Sequence, residues 1–193
     1  MFLSQASPKS QHMSKRYLEL REQLWPGCEP EVWSRKTSKG FTTIPRILPL
    51  ILHLITILDK TKHGAKGNPS KVYLDLWCRA YDEGFLDVND EDECAYSAGY
   101  TGSRAARTWK EHVKLLRDLG FVRTAKKGNR EIGYILIVDP YWVAESLHEE
   151  KRVQEDWWNA FIARVHRTKA KLPSQRKKVA EPLENVLRRK RKE

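Results

Sequence analysis

Cysteine is scarce in this chain. Cys28, Cys78 and Cys94 are dispersed over 193 residues with no C-x-x-C pair. An odd, scattered set points to neither a disulfide framework nor a zinc site. A long apolar run is also missing. The most apolar stretch, Ile44–Leu58, falls short of the about 20 residues of a membrane span, and Pro45, Pro49 and His53 interrupt it. A buried core helix is expected there, with His53 a core or boundary histidine rather than a ligand. Met1–Ser14 has no basic region followed by an apolar run and a small-residue cleavage site. No secretory leader is therefore expected, and a reducing cytoplasm is the expected compartment. There is no Gly-rich phosphate loop, no H-E-x-x-H, no G-x-S-x-G and no internal repeat of 20–50 residues. Neither catalysis nor a cofactor is expected.

What the chain has is positive charge, unevenly placed. The net charge is +11. Residues 1–100 carry 13 Lys/Arg against 13 Asp/Glu, 101–130 carry 9 against 2, 131–166 carry 3 against 7, and 167–193 carry 11 against 3. The excess lies in two blocks, which argues for a polyanionic partner.

Along the chain, 1–14 is polar and expected to be disordered. Lys15–Trp25 fits a short helix stopped by Pro26, and 26–43 reads as a linker made basic by Arg35, Lys36 and Lys39. After a polar loop over 61–70, Ser70 is placed to cap a helix from Lys71 to about Glu83, with Val72, Leu76 and Ala80 inward. Seven acids and no base lie between Asp82 and Glu93. They miss the calcium-loop spacing and read as a solvated turn whose last acids favour the next helix N-terminus. Phe85, Leu86 and Val88 among them fit a short strand.

The most informative segment is DEDECAYSAGYTGSRAARTWKEHVKLLRDLG, residues 90–120. A short helix over Asp92–Ala98 meets Gly99, which suits a left-handed C-cap. Thr101-Gly102 makes a turn, and Ser103 is placed to cap a long helix ending at Gly120. On that helix Ala105, Ala106, Trp109, Val113 and Leu116 share one stripe. Arg104, Arg107, Thr108, Glu111 and Lys114 share the opposite side. Phe121–Lys127 and Glu131–Asp139 then fit two strands about a Gly128-Asn129 turn, with Ile132, Tyr134, Leu136 and Val138 on one face. Lys126, Lys127 and Arg130 crowd the hairpin tip.

This segment resembles the winged helix-turn-helix superfamily. The likeness is carried by Ala95, Gly99, Ser103, the Trp109/Val113/Leu116 stripe, the Leu119-Gly120-Phe121 junction and the Gly128-Asn129 hairpin. It covers roughly 44–147, with Ile44–Leu58 or Lys71–Glu83 as first helix, and is similar to phage- and plasmid-borne members with an extra N-terminal helix. The acidic loop and the second long helix before the motif depart from the pattern. The resemblance implies an α-rich α+β fold, a winged helix with N- and C-terminal helical extensions. It also implies binding of double-stranded DNA, as a transcriptional regulator or a mobile-element replication protein. Arg104, Arg107, Thr108 and Glu111 are the candidate base contacts, and Ser103, Lys114, Lys126, Lys127 and Arg130 the candidate backbone contacts. The alternative is a non-enzymatic interaction module with general nucleic-acid affinity through its basic tail.

On this reading a polar arm spans 1–40 and the winged helix 41–147. Asp139-Pro140 is a cap and first-turn pair for a helix carrying Trp142, Val143 and Leu147. An amphipathic helix at 148–166 carries Trp157, Trp158, Phe161, Ile162 and Val165, a stripe suited either to core packing or to a homodimer seam. Residues 167–193 form a basic tail, with clusters at Arg176-Lys177-Lys178 and Arg188–Lys192.

Overall fold

A computed structural model describes residues 8–32, 39–63 and 68–176. The expectations for residues 1–7, for Arg35 and Lys36, for the 64–67 part of the polar loop and for the tail from Lys177 onward lie outside the described residues. The chain divides into two compact units, 1–41 and 42–193.

The first unit holds helix α1 (Pro8–Leu24) and a 3-10 turn at Glu29–Glu31. The helix begins seven residues before the expected Lys15, because Pro8 can occupy a first-turn position and nothing up to Tyr17 breaks a helix. Tyr17, Leu20 and Leu24 on it, and Trp25 just after it, are exposed.

The second unit is helix-rich α+β. Its elements are α2 (Leu48–His63), α3 (Pro69–Arg79), β1 (Phe85–Asp87), α4 (Glu91–Ser97), α5 (Ala105–Asp118), β2 (Val122–Lys127), β3 (Arg130–Ile137), α6 (Pro140–Glu149) and α7 (Glu155–Thr168). The three strands form one antiparallel sheet in the order β1-β3-β2. Among the described residues no helix is long and apolar enough to cross a membrane.

The apolar stretch at 44–58 does form a buried helix. Ile47, Leu48, Ile51, Leu54, Ile55 and Leu58 recur at three- and four-residue intervals and all are buried, while His53 points to solvent. Pro45 delays the helix start to Leu48. The next helix starts at Pro69 with Asn68 as N-cap, so Ser70 is not its cap; a proline at the first helical turn needs no N–H partner and comes preset in φ. It ends at Arg79 rather than Glu83, which sits beyond it at φ 70°. Tyr73 is fully buried and meets Phe121 at 5.3 Å between centroids.

In β3 the residues expected on one face, Ile132, Tyr134, Leu136 and Val138, do not share one environment, Ile132 being buried and Leu136 exposed. Ile135 and Ile137 are buried, whereas Leu136 is 39% exposed and Tyr134 lies half-buried against Phe85. Both faces of this strand are apolar in sequence, so alternation does not choose between them. A bulge also shifts the register: Ala125 opposes Tyr134, but Lys127 opposes Arg130. The slip lets Ile132 and Ile135, three apart, both be buried. Gly133 makes the crossing feasible, since a Cβ there would lie 2.6 Å from the Lys127 backbone nitrogen.

The C-terminal helices complete the same core. Asp139 accepts from the Tyr141 N–H at 2.9 Å, capping α6 as its sequence suggests. Trp157, Phe161 and Val165 of α7 are buried, and the Trp157 indole donates to the Leu50 carbonyl at 3.0 Å. Trp158 stacks on His148 at 4.0 Å between centroids, and Ile162 is half-buried against the core. The stripe expected to serve core or dimer is therefore core, and a homodimer seam through these residues is not supported. The expected tail also starts late. Leu172 is buried, and the Ser174 N–H donates to Glu145 at 3.2 Å, so the chain to Arg176 is held on the unit.

Candidate nucleic-acid interface

The candidate site is built on the α4–α5 pair and the β2–β3 hairpin. Asp90 begins it. Its carboxylate accepts from the Asp92 and Glu93 N–H groups at 2.9 and 3.1 Å, capping α4, whose first turn holds Glu91, Asp92 and Glu93. The helix ends as Gly99 suggests. Gly99 takes φ 85°, its N–H bonds the Tyr96 carbonyl, and the Tyr100 N–H reaches back to the Ala95 carbonyl, each at 2.9 Å. This paired closure satisfies carbonyls that a helix end would otherwise leave open. Gly120, at φ 87°, closes α5 onto Phe121 in the same way.

The α4–α5 turn is fastened by Tyr100. Its hydroxyl donates to the Asn68 carbonyl at 3.1 Å and lies 2.6 Å from Nδ1 of His112 on α5. A hydroxyl has one proton, so with that proton on Asn68 the imidazole Nδ1–H is the donor to tyrosine. Burial pushes the Tyr100 hydroxyl up to about 12 and lowers His112 below its ordinary value. On the other side of α4, Asp75 of α3 accepts from the Ser97 hydroxyl at 2.6 Å and from Arg79 at 2.7 Å. Arg79 also grips Glu93 with both terminal nitrogens, at 2.9 and 3.0 Å, which holds the Glu93 carboxyl below the usual range.

Within α5 the inward stripe is where the wheel puts it. Trp109, Val113 and Leu116 are fully buried, His112 and Leu115 join them, and Ala105 and Ala106 are half-buried. The outward side carries Arg104, Arg107 and Glu111, exposed, with Thr108 half-buried. Ser103 does not cap this helix. The first helical residue is Ala105, Arg104 is the cap position, and no side chain supplies a capping bond. The turn through Gly102, at φ 85°, sets the helix start two residues past Ser103. Ser103 is exposed before it.

The structure brings Arg107 and Glu111 together as an ion pair at 3.0 Å, with side chains 78% and 60% exposed. Such a pair is worth only about 0.3–0.5 kcal/mol and opens readily to a ligand. Lys114 pairs with Glu131 of β3 at 2.8 Å, and Lys110 with Glu91 of α4 at 3.0 Å. The hairpin turns on Gly128 at φ 58°; Asn129 does not share that conformation, the pattern of a turn with glycine at its first central position. Lys126 is exposed beside it. Lys127 and Arg130 instead reach across to β1 and the loop after it. Lys127 meets Asp87 at 2.6 and 2.7 Å and Asn89 at 3.1 Å, and Arg130 donates to the Val88 and Asn89 carbonyls at 3.1 and 2.5 Å.

Sequence reasoning missed Asp87, Asn89, Glu91, Glu131 and Lys110 as parts of this site. The acidic run reads as solvent-facing and capping; Asp90 does cap, and Asp87, though exposed, also pairs with Lys127. The signal was the short strand at Phe85: once β1 is paired beside β3, Asp87 must lie near the basic hairpin. No known protein family, curated protein or solved structure matches the chain.

Proposed function

We propose that residues 69–137 form a winged helix-turn-helix that binds double-stranded DNA sequence-selectively, in a transcriptional regulator or a mobile-element replication protein. The observation that carries this reading is the order helix, strand, helix, helix, hairpin, with the sheet in the order β1-β3-β2. In that arrangement α3 is the first helix, α4 and α5 the helix pair, and β2–β3 the wing. The N-terminal end of α5 presents Arg104 and Arg107 to solvent, suited to bidentate contact with guanine O6 and N7 in a major groove. Lys126 at the hairpin suits contact with phosphate.

A second reading, general nucleic-acid affinity through the C-terminal basic segment, is favoured by one observation. Arg164, Arg167, Lys169 and Lys171 succeed one another with no acid between Asp156 and Glu181. Selection from a random pool of duplexes by the full chain separates the two. A recurring sequence motif is expected from the first reading, and retention of duplex without one is the outcome of the second.

A further inference from the structure

We propose that Lys127 and Arg130 are positioning residues, a clamp that fixes the hairpin against the loop opening α4, and that phosphate contact at the hairpin falls to Lys126. The binding half of this proposal rests on the DNA-binding reading; the clamp does not.

An ammonium has three donors. Those of Lys127 are matched by three acceptors within 3.1 Å, two on Asp87 and one on Asn89. Moving Lys127 to a phosphate would leave Asp87 uncompensated beside an incoming polyanion, so the exchange gains little. Arg130 spends one guanidinium nitrogen on two carbonyls of the same loop. The Val88 N–H completes the joint by donating to the Gly133 carbonyl at 2.9 Å. Gly133, lacking a Cβ, lets Lys127 cross at that point. The next residue along the loop is Asp90, the cap of α4, and Glu91 after it pairs with Lys110 of α5. Hairpin, loop, α4 and α5 are thereby joined as one frame, which presets the hairpin relative to the outward face of α5. Lys126 has no carboxylate within ion-pair distance among the described residues, so its charge is available.

The test uses the full chain and two readouts, amide hydrogen exchange over residues 88–93 and duplex affinity between about 50 and 200 mM salt. Lys126→Ala should lower the slope of log affinity against log salt by about one unit and leave exchange unchanged. Lys127→Ala should raise exchange over 88–93 several-fold and weaken binding with the slope kept. The charge swap Asp87→Lys with Lys127→Asp should restore both exchange and affinity, although it removes the cation from position 127. A one-unit fall in slope for Lys127→Ala, not restored by the swap, would overturn the proposal. So would unchanged exchange in Lys127→Ala. If the wild-type chain binds no duplex, the DNA-binding reading fails, and exchange alone still decides the clamp.

Discussion

Burial lowers the His112 imidazole below its ordinary 6.5, while Asp59 and Glu111 pull weakly the other way. The unfolded chain therefore takes up a proton near that pH while the folded one does not. The stability this residue allows is full above about pH 6.5 and falls as the pH drops through that value, until the folded imidazole protonates as well. Denaturant midpoints of the wild type should decline between about pH 7 and 5, and those of His112→Gln should decline less. The same pH profile in both proteins would mean that burial of His112 does not hold its imidazole neutral. Single residues were legible where the chemistry is local. Asp139 and Gly99 each act on backbone within three residues, and each sits where the sequence places it. Asp90, expected only as one of the acids near the helix N-terminus, caps α4, which starts at Glu91, one residue ahead of the expected Asp92. Ser70 and Ser103 are capable caps too, but Pro69 and the Gly102 turn move the helix starts away from them. A cap is defined by the backbone it meets, and a serine does not set that backbone.

At the scale of elements, helices were easier to read than strand faces. The outline of α5 follows from a single apolar stripe, because only one side of that helix is apolar. Its phase has a direct test. Trp109 is fully buried, and Trp109→Ala should cost about 3–5 kcal/mol in denaturant melts. A loss under about 1 kcal/mol would show that the stripe does not face the core. The face of β3 was not legible, since Ile132, Tyr134 and Leu136 compete with Ile135 and Ile137, and a bulge settles the matter through contacts with β2. For α7 the aromatic stripe was recognised, but its partner was not. Trp157 meets Leu50, 107 residues earlier, and no local pattern carries that separation.

Across the whole molecule, the sequence overstates the free charge of the candidate interface. Residues 101–130 hold nine Lys/Arg. Five of them, Arg107, Lys110, Lys114, Arg117 and Lys127, have a carboxylate partner in the fold. Three of those carboxylates, Asp87, Glu91 and Glu131, lie outside the block, so counting within it could not find them. Among the described residues, Arg104, Arg123, Lys126 and Arg130 have no carboxylate within ion-pair distance. A surface so compensated leans less on bulk attraction and more on where its few cations sit. The claim that α5 reads bases is tested most directly by competition binding, with a duplex selected by the full chain and a random duplex as competitors. Arg104→Ala or Arg107→Ala should weaken the selected duplex by about 1–3 kcal/mol more than the random one, the discrimination a bidentate guanine contact supplies. Equal losses on the two duplexes would contradict base reading by this helix.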